Sequence, residues 1–323
     1  MSESSLADAV RGGDRRSLAR AITLAESTRP DHRDEAVALL DELLPSTGGA
    51  IRVGISGAPG AGKSTFIEAL GLHLVDHGHR LAVLAVDPSS RRSGGSILGD
   101  KTRMEMLSRR SEAFIRPSPS GGTLGGVARR TREALLLCEA AGHDVVLVET
   151  VGVGQSEVAV AGMVDVFVLL LAPGAGDDLQ GVKRGIVELA DVVVVNKSDG
   201  DLAAAAERTA ADYANALHFL RSRTEGWEVR VERASALLGE GIDRVWSAIE
   251  AHEAMLKATG ALDARRAEQA REWMWSEVND GLLEALAADP AVASEMSALE
   301  EDVVTGTVSP ANAAQRILKR FMT

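Results

Sequence analysis

The chain has 323 residues, 45% hydrophobic but only 3% aromatic, which is enough for a sizeable core that must be mainly aliphatic. Its net charge of −12 argues against a nucleic-acid partner held through phosphates, and its single cysteine, Cys138, excludes an intramolecular disulfide and suits a reducing cytosol. No apolar run approaches the ~20 residues of a membrane span, and the polar start MSESSLADAVRGGDRR lacks the apolar core of a secretory signal; the expectation is a soluble cytoplasmic protein with no membrane and no nucleic-acid partner.

Residues 1–45 read as a helical segment. Leu6, Ala9 and Val10, then Leu18 and Ile22, then Ala36, Leu39, Leu40 and Leu43 recur at helical spacing, punctuated by Gly12-Gly13-Asp14 and Thr28-Arg29-Pro30. No catalytic constellation appears there. Ile51, Val53 and Ile55 then supply the β-branched run of a buried parallel strand. It breaks into Gly57-Ala58-Pro59-Gly60-Ala61-Gly62-Lys63-Ser64, a full match to G-x-x-x-x-G-K-[ST], followed by a helix from Thr65 to Asp76. Glycines let the backbone wrap phosphate oxygens so that amide N–H groups and the positive helix start face the anion. Lys63 is placed to reach the β- and γ-phosphates and the Ser64 hydroxyl to bind Mg²⁺. An ordinary glycine-rich turn is the alternative, but it has no need of the Lys-Ser pair. The pattern predicts a nucleoside triphosphate site.

A second buried strand, Leu81–Val86, delivers Asp87 at its carboxyl end, where open α/β sheets place ligands. Asp87 is a candidate Mg²⁺ ligand, directly or through water, and Asp100 a candidate for the metal, the attacking water or a partner; capping a helix or solvating a loop is the alternative for both. The small, glycine-rich loop between them suits a segment ordered by the γ-phosphate. A strand at 113–116 and a helix at 127–141 follow, with Cys138 expected as a small buried hydrophobe. The strand ending at Glu149-Thr150 puts an acidic residue where P-loop proteins approach Mg²⁺, and Gly152 offers an N–H to the γ-phosphate. Gln155 is a candidate for orienting water or for holding its own loop. Strand 166–171 opens into a loop holding Gln180 and Lys183, either a nucleotide sensor or a plain connection.

Val192–Val195 leads into Asn196-Lys197-Ser198-Asp199. In N-K-x-D the aspartate accepts both N1–H and the exocyclic N2–H₂ of guanine; adenine lacks that donor pair and leaves a charged acceptor unpaired. Val229–Arg233 reads as the last strand, with Ser235, Ala236 and Leu237 in a loop whose N–H groups are expected to meet guanine O6. The expected ligands are GTP/GDP with Mg²⁺. The P-loop domain is set at 46–252. Beyond it, helices at 263–289, 291–304 and 310–322 form a C-terminal arm, 253–323, whose Trp273, Trp275, Val278, Leu282, Leu283 and Leu286 make an apolar surface suited to a homodimer or to packing back on the domain.

The stretches GAPGAGKST, AVDPSSRRSGGSILGDKTRM, FIRPSPSGGTLGG, VLVETVGVGQSE, PGAGDDLQGVKRG and VVNKSDGD together resemble the MeaB/MMAA (ArgK-like) G proteins over about residues 15–250. The resemblance implies an α/β, SIMIBI-class P-loop GTPase: a mainly parallel sheet flanked by helices, with N-terminal helices and a C-terminal helical dimerisation arm. It implies a chaperone that couples GTP binding and hydrolysis to adenosylcobalamin loading, protection and reactivation of methylmalonyl-CoA mutase, gating cofactor delivery from an adenosyltransferase. It assigns Lys63 and Ser64 to phosphate and Mg²⁺, Asp87 and Asp100 to switch I, Glu149 to the switch II acid, Gln180 and Lys183 to the mutase-facing switch III, and Asn196, Lys197 and Asp199 to guanine. Hydrolysis residues are then Lys63, Asp100, Glu149, Gln180 and Lys183. A related B12-dependent acyl-CoA mutase is an alternative partner, and a kinase or transport ATPase an alternative activity that Asn196-Lys-Ser-Asp199 counts against.

Overall fold

The computed structural model describes residues 5–86, 104–117, 124–150, 156–174, 184–218 and 222–322. Two compact units are distinguished, Met1–Gln269 and Ala270–Thr323.

Three helices open the first unit: α1 (Leu6–Arg11), α2 (Arg15–Ala25) and α3 (Pro30–Leu43). The breaks read from sequence are its caps. Asp14 accepts from Ser17 N at 2.7 Å at the start of α2, and Pro30 occupies the first turn of α3, where a missing N–H costs nothing. Strands then alternate with helices: β1 (Ile51–Gly57), α4 (Lys63–Asp76), β2 (Leu81–Val86), α5 (Glu105–Ser108), β3 (Ala113–Arg116), α6 (Leu124–Ala140), β4 (Val145–Thr150), α7 (Ser156–Ala161), β5 (Val166–Leu171), α8 (Arg184–Val187), β6 (Val192–Val195), α9 (Ala203–Leu217), β7 (Arg230–Arg233) and α10 (Ile242–Thr259). The sheet order is β3-β2-β4-β1-β5-β6-β7 and every pairing is parallel. The mainly parallel, helix-flanked P-loop architecture expected from the sequence is thus observed. The short α5, α7 and α8 were not expected.

Both faces of the sheet are covered, which is why its strands are continuous β-branched runs rather than alternating ones. On one face Leu18 and Ile22 of α2 and Leu135 and Leu137 of α6 pack on Val146, Val148 and Phe167. Cys138 is fully buried in this layer, as expected, and burial, with the Glu139 charge beside it, pushes its thiol pKa well up. On the other face Phe66, Leu70 and Leu74 of α4 and Ile249 of α10 pack on Val53, Ile55, Leu147 and Val168.

At the amino ends of β5 and β6 lies a buried ionic network. Asp165 and Asp191 stand one residue before these strands, fully buried. Asp165 Oδ2 accepts from Arg52 N of β1 and Asp191 Oδ2 from Phe167 N of β5, each at 2.9 Å, so each carboxylate ties a neighbouring strand. Arg266 grips Asp165 with Nε–Oδ1 at 2.9 Å and Nη2–Oδ2 at 2.7 Å, and also donates to Gly48 O and Ala50 O. Arg265 donates to Asp165 O and to Thr224 Oγ1, and Thr224 Oγ1 donates to Asp191 Oδ1 at 2.9 Å. His252 Nε2 lies 3.2 Å from Asp191 Oδ1. Burial works to raise the Asp191 carboxyl, but His252, Arg223 and Arg265 together hold it below the ordinary aspartate value.

Arg265 and Arg266 belong to α11 (Ala261–Ala288), which follows the left-handed Gly260 and runs from the first unit into the second. In the second unit Asp289 caps α12 (Pro290–Val304) through Ala291 N and Val292 N, and Ser309 caps α13 (Pro310–Phe321) through Asn312 N. Val292, Leu299 and Ala313 are its buried apolar residues; Trp275, Val278, Leu282 and Leu283 are exposed. Among the described residues, no helix is long and apolar enough to cross a membrane.

Candidate functional site

The strand-to-helix turn after β1 is shaped by what its glycines permit. A Cβ at Gly57 would stand 2.3 Å from Leu170 O of β5, so only glycine lets β1 end there. Gly60 and Gly62 hold φ of +84° and +89°, the left-handed region that side chains disfavour. Gly62 precedes α4 with no side-chain cap, so the amides of the first turn are left for another acceptor. Lys63 folds back over the turn, donating Nζ to Gly57 O at 2.8 Å and Ala58 O at 3.3 Å. Ala58, Pro59, Gly60 and Thr65 are exposed, while Ala61 is buried.

Glu149 reaches this turn from β4, whose register sets it between Ile55 of β1 and Ala85 of β2. Ser64 Oγ donates to Glu149 Oε1 at 3.3 Å. A hydroxyl and a carboxylate this close are the hard oxygen donors a Mg²⁺ ion takes, so the chemistry of the pair fits that ion. Next to Glu149, Thr150 Oγ1 donates to Ser56 Oγ at 2.9 Å and fastens the end of β4 to β1.

The third part stands at the carboxyl ends of β6 and β7. Asn196 is 1% exposed and works as a strut: Nδ2 donates to Ala61 O at 2.9 Å and Oδ1 accepts from Ala236 N at 3.1 Å. One amide thus joins the phosphate turn to the loop after β7. Gly62 must lack a side chain for this, since a Cβ there would meet Asn196 Nδ2 at 2.7 Å. Lys197, with φ of +57°, is the one left-handed residue other than glycine among the described residues. Ser235 Oγ donates to Asp199 Oδ1 at 2.6 Å and accepts from Leu238 N at 3.2 Å, and the Ser235–Glu240 backbone pair closes the loop. Asp199 is half-exposed.

Beside Thr65 and Ala236 an open groove of about 460 Å³ runs between α4, α5 and the 236–239 loop, walled by Leu72, Met106, Leu237 and Leu238. Burial and the adjacent His77 ring hold His73, also on this groove, below the usual histidine range.

The structure therefore brings together Gly57 to Thr65, Glu149, Asn196, Lys197, Asp199, Ser235, Ala236 and Leu237 along one edge of the sheet. Asp87, Asp100, Gly152, Gln155, Gln180 and Lys183 lie outside the described residues. The Thr150–Ser56 link and the hydrogen bond that Met106 N of α5 donates to Glu68 Oε1 at 2.7 Å were missed by sequence reasoning. Threonine and serine side chains 94 residues apart leave no local pattern.

Comparison with known proteins agrees with this geometry. Residues 18–291 match the family described as methylmalonyl-CoA mutase-associated GTPase MeaB. A putative GTPase of Caulobacter vibrioides is 59% identical over 96% of this chain and 94% of its own. The mitochondrial methylmalonic aciduria type A homolog of Mus musculus is 52% identical over 96% of this chain and 77% of its own. The crystal structure of a LAO/AO transport system kinase superposes with a TM-score of 0.77 at 40% identity, covering 98% of this chain and 97% of that one. On the phosphate turn, the parallel sheet and these relatives together, the chain is a P-loop GTPase that belongs to the MeaB family of mutase-associated GTPases.

Proposed function

We propose that this GTPase is a chaperone of an adenosylcobalamin-dependent acyl-CoA mutase, methylmalonyl-CoA mutase in the first instance, and that it couples GTP binding and hydrolysis to cofactor loading, protection and reactivation. The partner is supported by the family's own description. The nucleotide is supported by one observation above others: Asn196 holds the phosphate turn and the loop after β7 in one piece, with Asp199 positioned by Ser235. A guanine offers the N1–H and N2–H₂ pair that Asp199 accepts, whereas adenine strands a charged acceptor at a cost of ~1–3 kcal/mol or more.

In this reading the amides of residues 57–65 and Lys63 hold the triphosphate, and Gly152 approaches the γ-phosphate. Ser64, Asp87 and Glu149 would hold Mg²⁺, which would offset negative charge on the triphosphate. Asp100, Gln180 and Lys183 complete the site where water attacks the γ-phosphate, with Gln180 and Lys183 answering to the mutase. Catalysis is mainly positioning and electrostatic stabilisation, so turnover is slow until the partner orders the site. The exposed Trp275, Val278, Leu282 and Leu283 support a homodimer through the arm.

The test is hydrolysis of GTP by the purified protein with and without apo methylmalonyl-CoA mutase, with ATP as control. GTP-selective turnover accelerated by the mutase is the expected result. Turnover indifferent to it redirects the search to another mutase, and preference for ATP overturns the role of Asp199.

A further inference from the structure

The backbone ladder between β1 and β4 ends with the pair Ile55 and Glu149. Beyond it the two strands are held by other neighbours. β1 stays paired with β5 as far as Gly57 and Leu170, and β4 with β2 as far as Thr150 and Val86. At this fork Thr150 Oγ1 donates to Ser56 Oγ at 2.9 Å, side chain to side chain. Successive residues of a strand face opposite sides of the sheet, so the hydroxyl pair lies on the face away from Glu149. Ser56 and Thr150 are 1% and 0% exposed there, on the side where Gly54 of β1 lies against Val160 of α7. A hydroxyl enclosed in such a layer is costly unless bonded, and the bond is directional where a contact between methyls is not.

Each hydroxyl is one residue from the site. Ser56 precedes Gly57, whose carbonyl accepts from Lys63 Nζ at 2.8 Å, and Thr150 follows Glu149, whose Oε1 accepts from Ser64 Oγ at 3.3 Å. A planar peptide passes a displacement of Thr150 directly to Glu149. We propose that Ser56 and Thr150 are positioning residues for the cation, tying the end of β4 to the start of the phosphate turn so that Glu149 stays beside Ser64 for Mg²⁺. Altering the groups behind a metal ligand changes metal affinity by about 10–100-fold. The inference rests on the reading that Ser64 and Glu149 hold the ion. A merely structural role for the pair would lower Tm and nucleotide affinity whether or not Mg²⁺ is present. A positioning role shows only when Mg²⁺ is added.

The experiment measures affinity of the full chain for a non-hydrolysable GTP analogue by calorimetric titration, in EDTA and across a Mg²⁺ series, together with Tm. Thr150→Val keeps the branched shape and removes the hydroxyl, Ser56→Ala removes the acceptor, and Thr150→Ser keeps the bond. In Thr150→Val and Ser56→Ala the Mg²⁺ concentration giving half the gain in affinity is expected to rise about tenfold, with affinity in EDTA within about twofold of wild type. Thr150→Ser is expected to restore most of the Mg²⁺ response. If Thr150→Val fails to fold, Ser56→Ala against Thr150→Ser carries the test. An unchanged Mg²⁺ midpoint in Thr150→Val and Ser56→Ala, a Thr150→Ser variant as impaired as Thr150→Val, or an equal loss in EDTA overturns the proposal. Glu149→Gln, measured alongside, separates the proposal from the reading beneath it. A wild-type midpoint in Glu149→Gln removes Glu149 from the metal and the proposal with it. A shifted midpoint in Glu149→Gln beside unshifted hydroxyl variants overturns the proposal alone.

Discussion

Strands β5 and β6 are held differently at their two ends. Their amino ends are locked by Asp165 and Asp191, fully buried carboxylates whose oxygens bond to strand amides and to Arg266 and Thr224. The carboxyl end of β6 is shaped but open: Asn196 is engaged through both its amide atoms, while Lys197 is exposed in a left-handed conformation and Asp199 is half-exposed with Oδ1 held by Ser235. The difference teaches where stability and function are placed in a doubly covered parallel sheet. A buried network of carboxylates and guanidiniums ties the strands of the scaffold together, while a left-handed lysine and a half-exposed carboxylate stand at the opposite end.

The sharpest way to break the comparison is at the locked end. Arg266→Ala leaves Asp165 buried without its bidentate partner and is expected to cost about 3–5 kcal/mol in chemical denaturation, the range for breaking a buried ion pair by removing one member. A loss under about 1 kcal/mol there would mean the network is no more than a solvated surface pairing. At the open end, Asp199→Ala should leave stability within about 0.5 kcal/mol and reduce guanine-nucleotide affinity about a hundredfold, read by calorimetric titration of GDP. A smaller expected effect sits at Lys197, where glycine removes the cost of φ +57°. Lys197→Gly should gain about 0.5–1 kcal/mol in Tm-derived stability while weakening GTP binding, and a loss of both would show the conformation is not strained. Smallest under ordinary conditions is the pH term. Asp191 has a carboxyl below its ordinary value in the folded chain, so the unfolded chain takes up the proton first as pH falls. Its contribution is complete above about pH 4, the ordinary aspartate value, and is lost as pH drops through the lower folded value. Asp191→Asn should flatten the stability curve in that acidic window and leave its slope near neutrality unchanged.

What was legible in the sequence follows the same division. The phosphate turn and Asn196-Lys-Ser-Asp199 are contiguous, and their chemistry demands particular residues at fixed offsets, so eight or four letters suffice. The helices of the amino-terminal segment and the arm were legible because their caps, Asp14, Pro30, Asp289 and Ser309, are local signals beside periodic apolar residues. The ionic network was not legible. Asp165 and Arg266 are 101 residues apart, and in the sequence they look like the solvated charges found throughout a chain with 25% charged residues. Glu68 was hidden for the same reason, since on α4 it reads as one more helical glutamate until the fold sets α5 against it. The short α5 and α7 escaped because one or two turns hold too few residues for a period to register.

The burial of Cys138 has a practical consequence. The chain's sole thiol is fully enclosed and held in its protonated form, so it will not react with maleimides or iodoacetamides under native conditions. A cysteine introduced at an exposed arm position such as Val304 would be the only reactive one. The native protein is therefore ready for site-specific fluorophore or spin labelling of the arm without first removing any residue.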